Sequence, residues 1–169
     1  MLPKVPVIAL TASAVKAVQD DICTSLQFGT TQQIFQQSFV RPNLSYSAFN
    51  TPDKFNKLLD ILQKVKGSGI VYCKSRKQAK EIADFLKQHK IAADFYHAGL
   101  SNEERNNKQD SWIKNKIRII ACTNAFGMGI DKPDVRVVVH VGVPDCLENY
   151  YQEAGRAGRD GKRDRKSVV

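Results

Sequence analysis

The residues best suited to chemistry in this sequence gather near its C-terminal end, in Gln152-Glu153-Ala154-Gly155-Arg156-Ala157-Gly158-Arg159. Guanidinium groups stay charged and donate in a fixed planar fork, which matches the oxygens of a phosphate. Leu147, Tyr150, Tyr151 and Ala154 recur at helical spacing just before and among them. At roughly 100° per residue, a helix carrying that stripe turns Gln152, Arg156 and Arg159, spaced i, i+4 and i+7, to its opposite face. The spacing therefore predicts a helix that packs with one side and offers one amide and two guanidinium groups on the other. Gly155 and Gly158 inside such a helix would each cost roughly 1 kcal/mol against alanine. Close backbone packing or the approach of a ligand must offset that. The blander reading is a solvated basic helix end, and two glycines in register with two arginines argue against it.

A second constellation, Thr123-Asn124-Ala125-Phe126-Gly127-Met128-Gly129-Ile130-Asp131, follows an apolar run that ends at Cys122. Ligands of open parallel sheets bind beyond the carboxyl ends of the strands. There Gly127 and Gly129 permit close backbone approach, and Thr123 offers a hydroxyl and an N–H to a phosphate. Asp131 reads equally as an acceptor for a sugar hydroxyl or as a turn residue before Lys132-Pro133. Phe126 and Met128 read as core. A third group lies at other strand ends: Lys74-Ser75-Arg76 after Cys73, and His97-Ala98-Gly99 after Tyr96. Ser75 opens a helix, so it is an N-cap whose helix terminus also suits an anion. His97 alone reads as a structural hydrogen-bonding residue. Thr11-Ala12-Ser13 places two hydroxyls at a strand-to-helix turn.

What is missing narrows the chemistry. The 169 residues hold no G-x-x-x-x-G-K-[ST] phosphate loop and no acidic D-E-x-[HD] segment to hold magnesium. The chain can complete a nucleotide site begun elsewhere, not build one. Cys23, Cys73, Cys122 and Cys146 include no C-x-x-C pair, which argues against zinc and against a disulfide framework. No metal site is expected. The net charge of +9 points to a polyanion such as nucleic acid. Residues 156–166 alone, with six basic and two acidic side chains, supply four of those charges, so the remainder is only mildly basic. No signal peptide and no apolar run near the roughly 20 residues of a membrane span is visible. A reducing, cytoplasmic setting without a membrane partner follows.

The elements that must position these residues alternate regularly. Val5–Leu10 reads as a strand, and Val15, Val18, Ile22 and Leu26 as a helix stripe. Ile34–Phe39 and Leu44–Phe49 read as extended segments flanking Arg41-Pro42-Asn43, and Thr51 as the N-cap of a helix that buries Phe55, Leu58, Leu59 and Leu62. Strands are expected at Ile70–Cys73, Ala92–Tyr96, Ile117–Cys122 and Val135–Val141. Helices are expected after Ser75-x-x-Gln78 and Ser101-x-x-Glu104, both capping-box patterns, and from about Asp145. Continuous apolar strands alternating with helices predict an α/β fold, a doubly wound parallel sheet with helices on both faces. A boundary is expected near Arg41-Pro42, giving a lead-in over residues 1–40 and a unit over 41–161. Residues 162–169, without periodicity, read as a truncated or non-native tail.

With those residues in view, the sequence resembles superfamily 2 helicases. Ala9-Leu10-Thr11-Ala12-Ser13-Ala14 is similar to motif III, Ile70 to Arg76 to motif IV, Thr123 to Asp131 to motif V, and Gln152 to Arg159 to motif VI. Tyr96-His97-Ala98-Gly99-Leu100, the run from Ala125 to Asp131, and Tyr150 to Gly161 resemble the RecQ family in particular. The resemblance spans residues 5–161. It implies a RecA-like fold of the P-loop NTPase type and the second motor domain of an enzyme that unwinds DNA 3′ to 5′ with ATP and magnesium. It implies an arginine finger at Arg159, a γ-phosphate sensor at Arg156, and nucleotide contacts from Gln152, Gly129 and Asp131. Ser75, Arg76, His97 and Thr123 would contact single-stranded DNA, and Thr11 and Ser13 would couple nucleotide state to DNA. Ser13 stands where the family usually has threonine, which keeps the hydroxyl. The partner domain holding the phosphate loop would lie upstream, zinc and winged-helix domains downstream, and the work would be done at the bacterial nucleoid. Two alternatives stand beside this: a DEAD-box RNA helicase, whose family usually has histidine where Gln152 stands, and a non-catalytic nucleic-acid-binding module.

Overall fold

A computed structural model describes the chain except residues 1–5, 12–13, 30–31, 37, 39, 127–129, 162–163 and 169. The chain divides into two compact units, residues 1–40 and 41–169.

Among its described residues the first unit holds one helix, α1 (Lys16–Ser25), which starts where the apolar spacing begins to be helical. None of its residues is buried. No strand forms among the described residues of Val5–Leu10 or Ile34–Phe39, contrary to the sequence expectation. A strand needs a neighbour to complete its ladder, and these segments have none here. Their apolar side chains instead line a groove of about 670 Å³, with Ile8, Leu10, Ile22, Phe28, Ile34 and Phe35 on its walls.

The second unit is built on a six-stranded sheet, all parallel, in the order β1-β6-β5-β2-β4-β3. The strands are β1 (Leu44–Ala48), β2 (Ser68–Tyr72), β3 (Ala93–Tyr96), β4 (Ile119–Cys122), β5 (Val135–His140) and β6 (Asp164–Val168). The helices are α2 (Lys54–Lys64), α3 (Arg76–Gln88), α4 (Asn102–Ile113) and α5 (Leu147–Ala154). The doubly wound expectation holds, and chain direction explains the layering. Parallel crossovers are right-handed, so reversing the direction of travel moves the connection to the other face. Travel from β1 to β2 and from β2 to β3 runs one way across the sheet; travel from β3 to β4, to β5 and to β6 runs back. Accordingly α2 and α3 bury Leu58, Leu62, Ile82 and Leu86 against Val71, Ile119, Ala121, Val137 and Val139. Trp112 of α4 and Phe126 of the β4–β5 connection pack with Ile70, Tyr72, Ile120, Cys122 and Val138 on the opposite face. Alternate residues of one strand thus serve two cores, as the pleat requires.

Three local expectations change. Asp53, not Thr51, caps α2: its carboxylate accepts from the Asn56 N–H at 3.1 Å, while the Thr51 hydroxyl accepts from the Asp53 N–H. Asn56 holds the Asp53 carboxyl below its ordinary value. Only Ser101–Glu104 closes a full capping box; at α3 the Gln78 side chain reaches the Lys74 N–H instead of that of Ser75. The segment expected to lack regular structure contributes β6, inserted between β1 and β5. Pairing on both sides supplies the order that its own sequence pattern does not.

Candidate functional site

The carboxyl ends of the central strands bring three of the sequence-predicted groups to one edge. Cys73 N donates to Cys122 O at 2.7 Å and Thr123 N to Tyr96 O at 3.3 Å, so the exits of β2, β4 and β3 are stitched side by side. Ser75 caps α3 through its hydroxyl oxygen, which leaves its hydroxyl proton free to be donated to a further acceptor. The Arg76 guanidinium lies against Gly99: a Cβ there would sit 2.6 Å from Arg76 Nη1 and 3.4 Å from His97 Nδ1. The bare Gly99 leaves room there for the Arg76 guanidinium on the side of the turn that also faces His97. The His97 ring stacks on Phe95, and its buried Nδ1 has no hydrogen-bond partner among the described residues. A buried polar atom of this kind is costly unless a ligand completes it. Thr123 is half-buried at the same edge.

Arg156 and Arg159 lie elsewhere, and not on a helix. Helix α5 ends at Ala154 with Gly155 as its C-cap, so Gln152, Arg156 and Arg159 do not share one helical face. The helix forms as the spacing predicts, but its expected packing stripe does not: Ala154 is buried and Tyr150 partly so, while Leu147 and Tyr151 are exposed. Beyond Ala154 the chain tightens into a turn in which Arg156 N donates to Glu153 O and Ala157 N to Ala154 O, both at 3.3 Å. Gly158 then adopts φ +61°, a left-handed conformation that an L side chain enters at a cost of roughly 1–2 kcal/mol. This conformation, not helical packing, accounts for the glycine. The Gly158 N–H donates to Val135 O at the start of β5. The turn therefore lies across the sheet face that carries Trp112 and Phe126, where Ala157 is buried.

On that face Arg156 hydrogen-bonds the Tyr72 hydroxyl, which itself donates to Phe126 O at 3.3 Å. Burial pushes the Tyr72 phenol far above its ordinary pKa, so it stays protonated as a donor. Arg159 Nη1 donates to Asp131 Oδ1 at 2.9 Å, with side chains 38% and 80% exposed. Arg156 and Arg159 are close enough to line one small crevice with Ile130 and Lys132. Asp131 is thus brought to the arginines, while Gln152 stays on the exposed side of α5. Gly129 and Ser13 lie outside the described residues; Thr11 is exposed in the first unit, on the wall of its groove.

Several neighbours escaped the sequence reading. Arg41 and Asn43, read only as a linker break, donate to the backbone of the arginine turn. Lys132, also in a turn, has a side chain 4% exposed and binds Asp134 at 2.8 Å, Asn115 Oδ1 at 2.8 Å and Ile113 O at 3.3 Å. His140 Nε2 and Glu153 Oε2 form a buried pair at 2.8 Å, with the imidazole stacked on Tyr72. That pair floors a cavity of about 220 Å³, bordered by Lys74, Thr123, Asn124 and Asp145, between the ends of β2 and β5. Strand order reverses direction there, the place where open α/β sheets take ligands. The only available signals were the isolated histidine ending an apolar strand and the glutamate beside Gln152.

The comparisons with known proteins agree with this geometry. Residues 53–161 match the family model described as helicase conserved C-terminal domain, and the chain belongs to that family. Within it, the chain is similar to RecQ-like helicases: it is 46% identical to the RecQ-like DNA helicase blm-1 of Caenorhabditis elegans, over 94% of this chain and 16% of that protein. It is 44% identical to the ATP-dependent helicase SGS1 of Saccharomyces cerevisiae, over 94% and 11%. It is also 49% identical, over 96% and 30%, to a protein of Acanthamoeba polyphaga mimivirus provisionally named ATP-dependent RNA helicase R290. The chain spans about a third or less of the length of these relatives. In fold it is similar to S. cerevisiae dbp5 bound to gle1 and IP6, with a TM-score of 0.72 and 23% identity over 94% of this chain and 42% of that one. The fold is therefore that of a RecA-like helicase C-terminal domain. Among the described residues no helix is long and apolar enough to cross a membrane.

Proposed function

We propose that this domain is the second motor half of an ATP-dependent 3′-to-5′ DNA helicase. In this reading residues 1–40 end the first motor domain and its linker, and residues 41–161 form the second. The separation of two surfaces carries it. The strand-end edge with Ser75, Arg76, His97 and Thr123 holds the backbone of single-stranded DNA, and the sheet face with Arg156 and Arg159 meets ATP. Tyr72 bridges them, since its hydroxyl touches Arg156 and its backbone leads directly into Cys73-Lys74-Ser75. Rigid coupling of that kind is what a motor needs between nucleotide and track.

The residues present fit the outer part of a nucleotide site. Two guanidinium groups line one crevice, Arg159 is partly exposed, and Asp131 beside it can accept from a hydroxyl. An arginine delivered to a γ-phosphate from a separate domain stabilises transition-state charge. In this reading the phosphates and magnesium fall to the upstream RecA-like domain, because these 169 residues hold neither a phosphate loop nor a D-E-x-[HD] segment. Coupling through Thr11 and Ser13, and nucleotide contacts from Gln152 and Gly129, belong to the same reading.

The test is unwinding by the protein that joins this domain to a phosphate-loop domain, on matched DNA and RNA duplexes with 3′ or 5′ tails. ATP-dependent unwinding of 3′-tailed DNA is expected. Preference for RNA would favour the reading raised by the name of the mimiviral relative. Salt-sensitive single-strand binding without ATP turnover would favour a binding module.

A further inference from the structure

The arginine turn is held only in part by its own backbone. After α5 ends at Ala154, its internal hydrogen bonds are two long ones of 3.3 Å from Arg156 N and Ala157 N, and one of 3.2 Å from Gly161 N to Gly158 O. The carbonyls of the buried Ala157 and Gly158 are taken by side chains from far back in the sequence. Arg41 Nη2 donates to Gly158 O at 2.9 Å and to Ala157 O at 3.3 Å, and Asn43 Nδ2 donates to Gly158 O at 2.9 Å. Gly158 O is therefore a node with three donors, one residue before Arg159 and two after Arg156.

Those donors sit at a telling place. Arg41 is the first residue of the second unit, and Leu44 N donates to Arg41 O at 3.0 Å, closing a turn directly into β1. One amino group of a planar guanidinium bridging two carbonyls transmits displacement better than a single flexible contact. We infer that Arg41 and Asn43 are positioning residues that hold the Ala157–Gly158 carbonyls, and through them set where Arg159 points, tying its aim to the chain segment entering the domain. The inference rests on the proposed role of Arg159 toward ATP. A misplacement near 1 Å of a group that must meet a reacting phosphate costs about 10²-fold in rate.

The experiment uses the protein joining this domain to a phosphate-loop domain, with saturating single-stranded DNA, and the 169-residue chain for spectroscopy. Arg41→Met keeps the stem and removes both of its hydrogen bonds to the turn; Asn43→Ala removes the other side-chain bond. Each is expected to lower kcat for ATP by about 10- to 100-fold, with KM within about twofold and Arg41→Lys recovering most of the loss. In the 169-residue chain, Arg41→Met should shift the Gly158 and Arg159 amide resonances and speed Gly158 exchange, while resonances of α3 and β4 stay in place. If Arg41→Met unfolds the chain, Asn43→Ala, which leaves the guanidinium in place, carries the test. Unchanged kcat in the Arg41 and Asn43 variants, beside a collapse in Arg159→Ala, would overturn the positioning role alone. Unchanged kcat in Arg159→Ala would instead overturn the proposed function. In that case unmoved Gly158 and Arg159 resonances would overturn the clamp as well.

Discussion

Arg159 and Asp131, 28 residues apart in sequence, meet in a hydrogen bond of 2.9 Å at the edge of the sheet face that carries Arg156. Both side chains are well exposed, so the pair contributes little to stability. Its effect is on direction: it holds the Arg159 guanidinium toward Asp131. Asp131→Asn keeps an acceptor oxygen but removes the charge that competes with phosphate. We expect unfolding free energy within about 0.5 kcal/mol of the parent and a change in KM for ATP rather than in folding, read by urea titration and steady-state ATP turnover.

Lys132 behaves oppositely. Its ammonium is buried against Asp134, Asn115 and the last carbonyl of α4, beneath the Trp112 ring. Lys132→Met removes charge-assisted hydrogen bonds and should cost about 1.5–3 kcal/mol in urea denaturation. Burial alone would raise the Asp134 carboxyl, but the Lys132 hydrogen bond and charge outweigh it and hold it below its ordinary value. A depressed carboxylate adds stability above its unfolded pKa and loses it as pH falls through the folded value. The acid-side loss of stability below about pH 4 should therefore be shallower in Lys132→Met.

Gly158 should not tolerate a side chain. At φ +61° a Cβ costs roughly 1–2 kcal/mol, so Gly158→Ala should lower the urea midpoint with little change in slope. A midpoint equal to the parent would mean that the turn is not left-handed.

The cysteines separate into two classes. Burial pushes the Cys73 thiol up to about 12 and the Cys122 thiol well above its ordinary value, whereas Cys146 is exposed and Cys23 partly so. Maleimide at pH 8 should label two thiols in the native chain and four in denaturant, since only the thiolate reacts. Labelling of Cys73 without denaturant would contradict the core described above.

Arg76 is expected to contribute one phosphate contact. Arg76→Ala should weaken single-stranded DNA binding similarly across sequences and lower the salt slope by about 0.7, measured by fluorescence anisotropy over a salt series.

Much of this was legible in the sequence because parallel strands buried on both faces leave continuous apolar runs. Ile70–Cys73, Ile117–Cys122 and Val135–Val141 each located a strand to within about two residues, the usual margin at element ends. The groups at strand exits followed, because parallel topology puts every exit at one edge. The geometry of Arg156 and Arg159 was not legible. Periodicity continues through Gly155, but nothing in it says that Gly158 turns left-handed and ends the pattern. Arg41 and Asn43 were hidden for a different reason: their partners are backbone carbonyls 115 to 117 residues away, which leave no residue-type signal. The strands expected at Val5–Leu10 and Ile34–Phe39 failed because a local pattern cannot supply the neighbour a strand needs.

The most direct measurement is single-stranded-DNA-stimulated ATP turnover by the protein joining this domain to a phosphate-loop domain, comparing Arg159→Ala with the parent and following ATP affinity in parallel. If the domain completes a nucleotide site held elsewhere, kcat falls by about 10³-fold or more while the ATP Kd stays within a few-fold, and the 169-residue chain alone hydrolyses no ATP. Turnover unchanged by Arg159→Ala, or ATP hydrolysis by the 169-residue chain alone, would contradict the account.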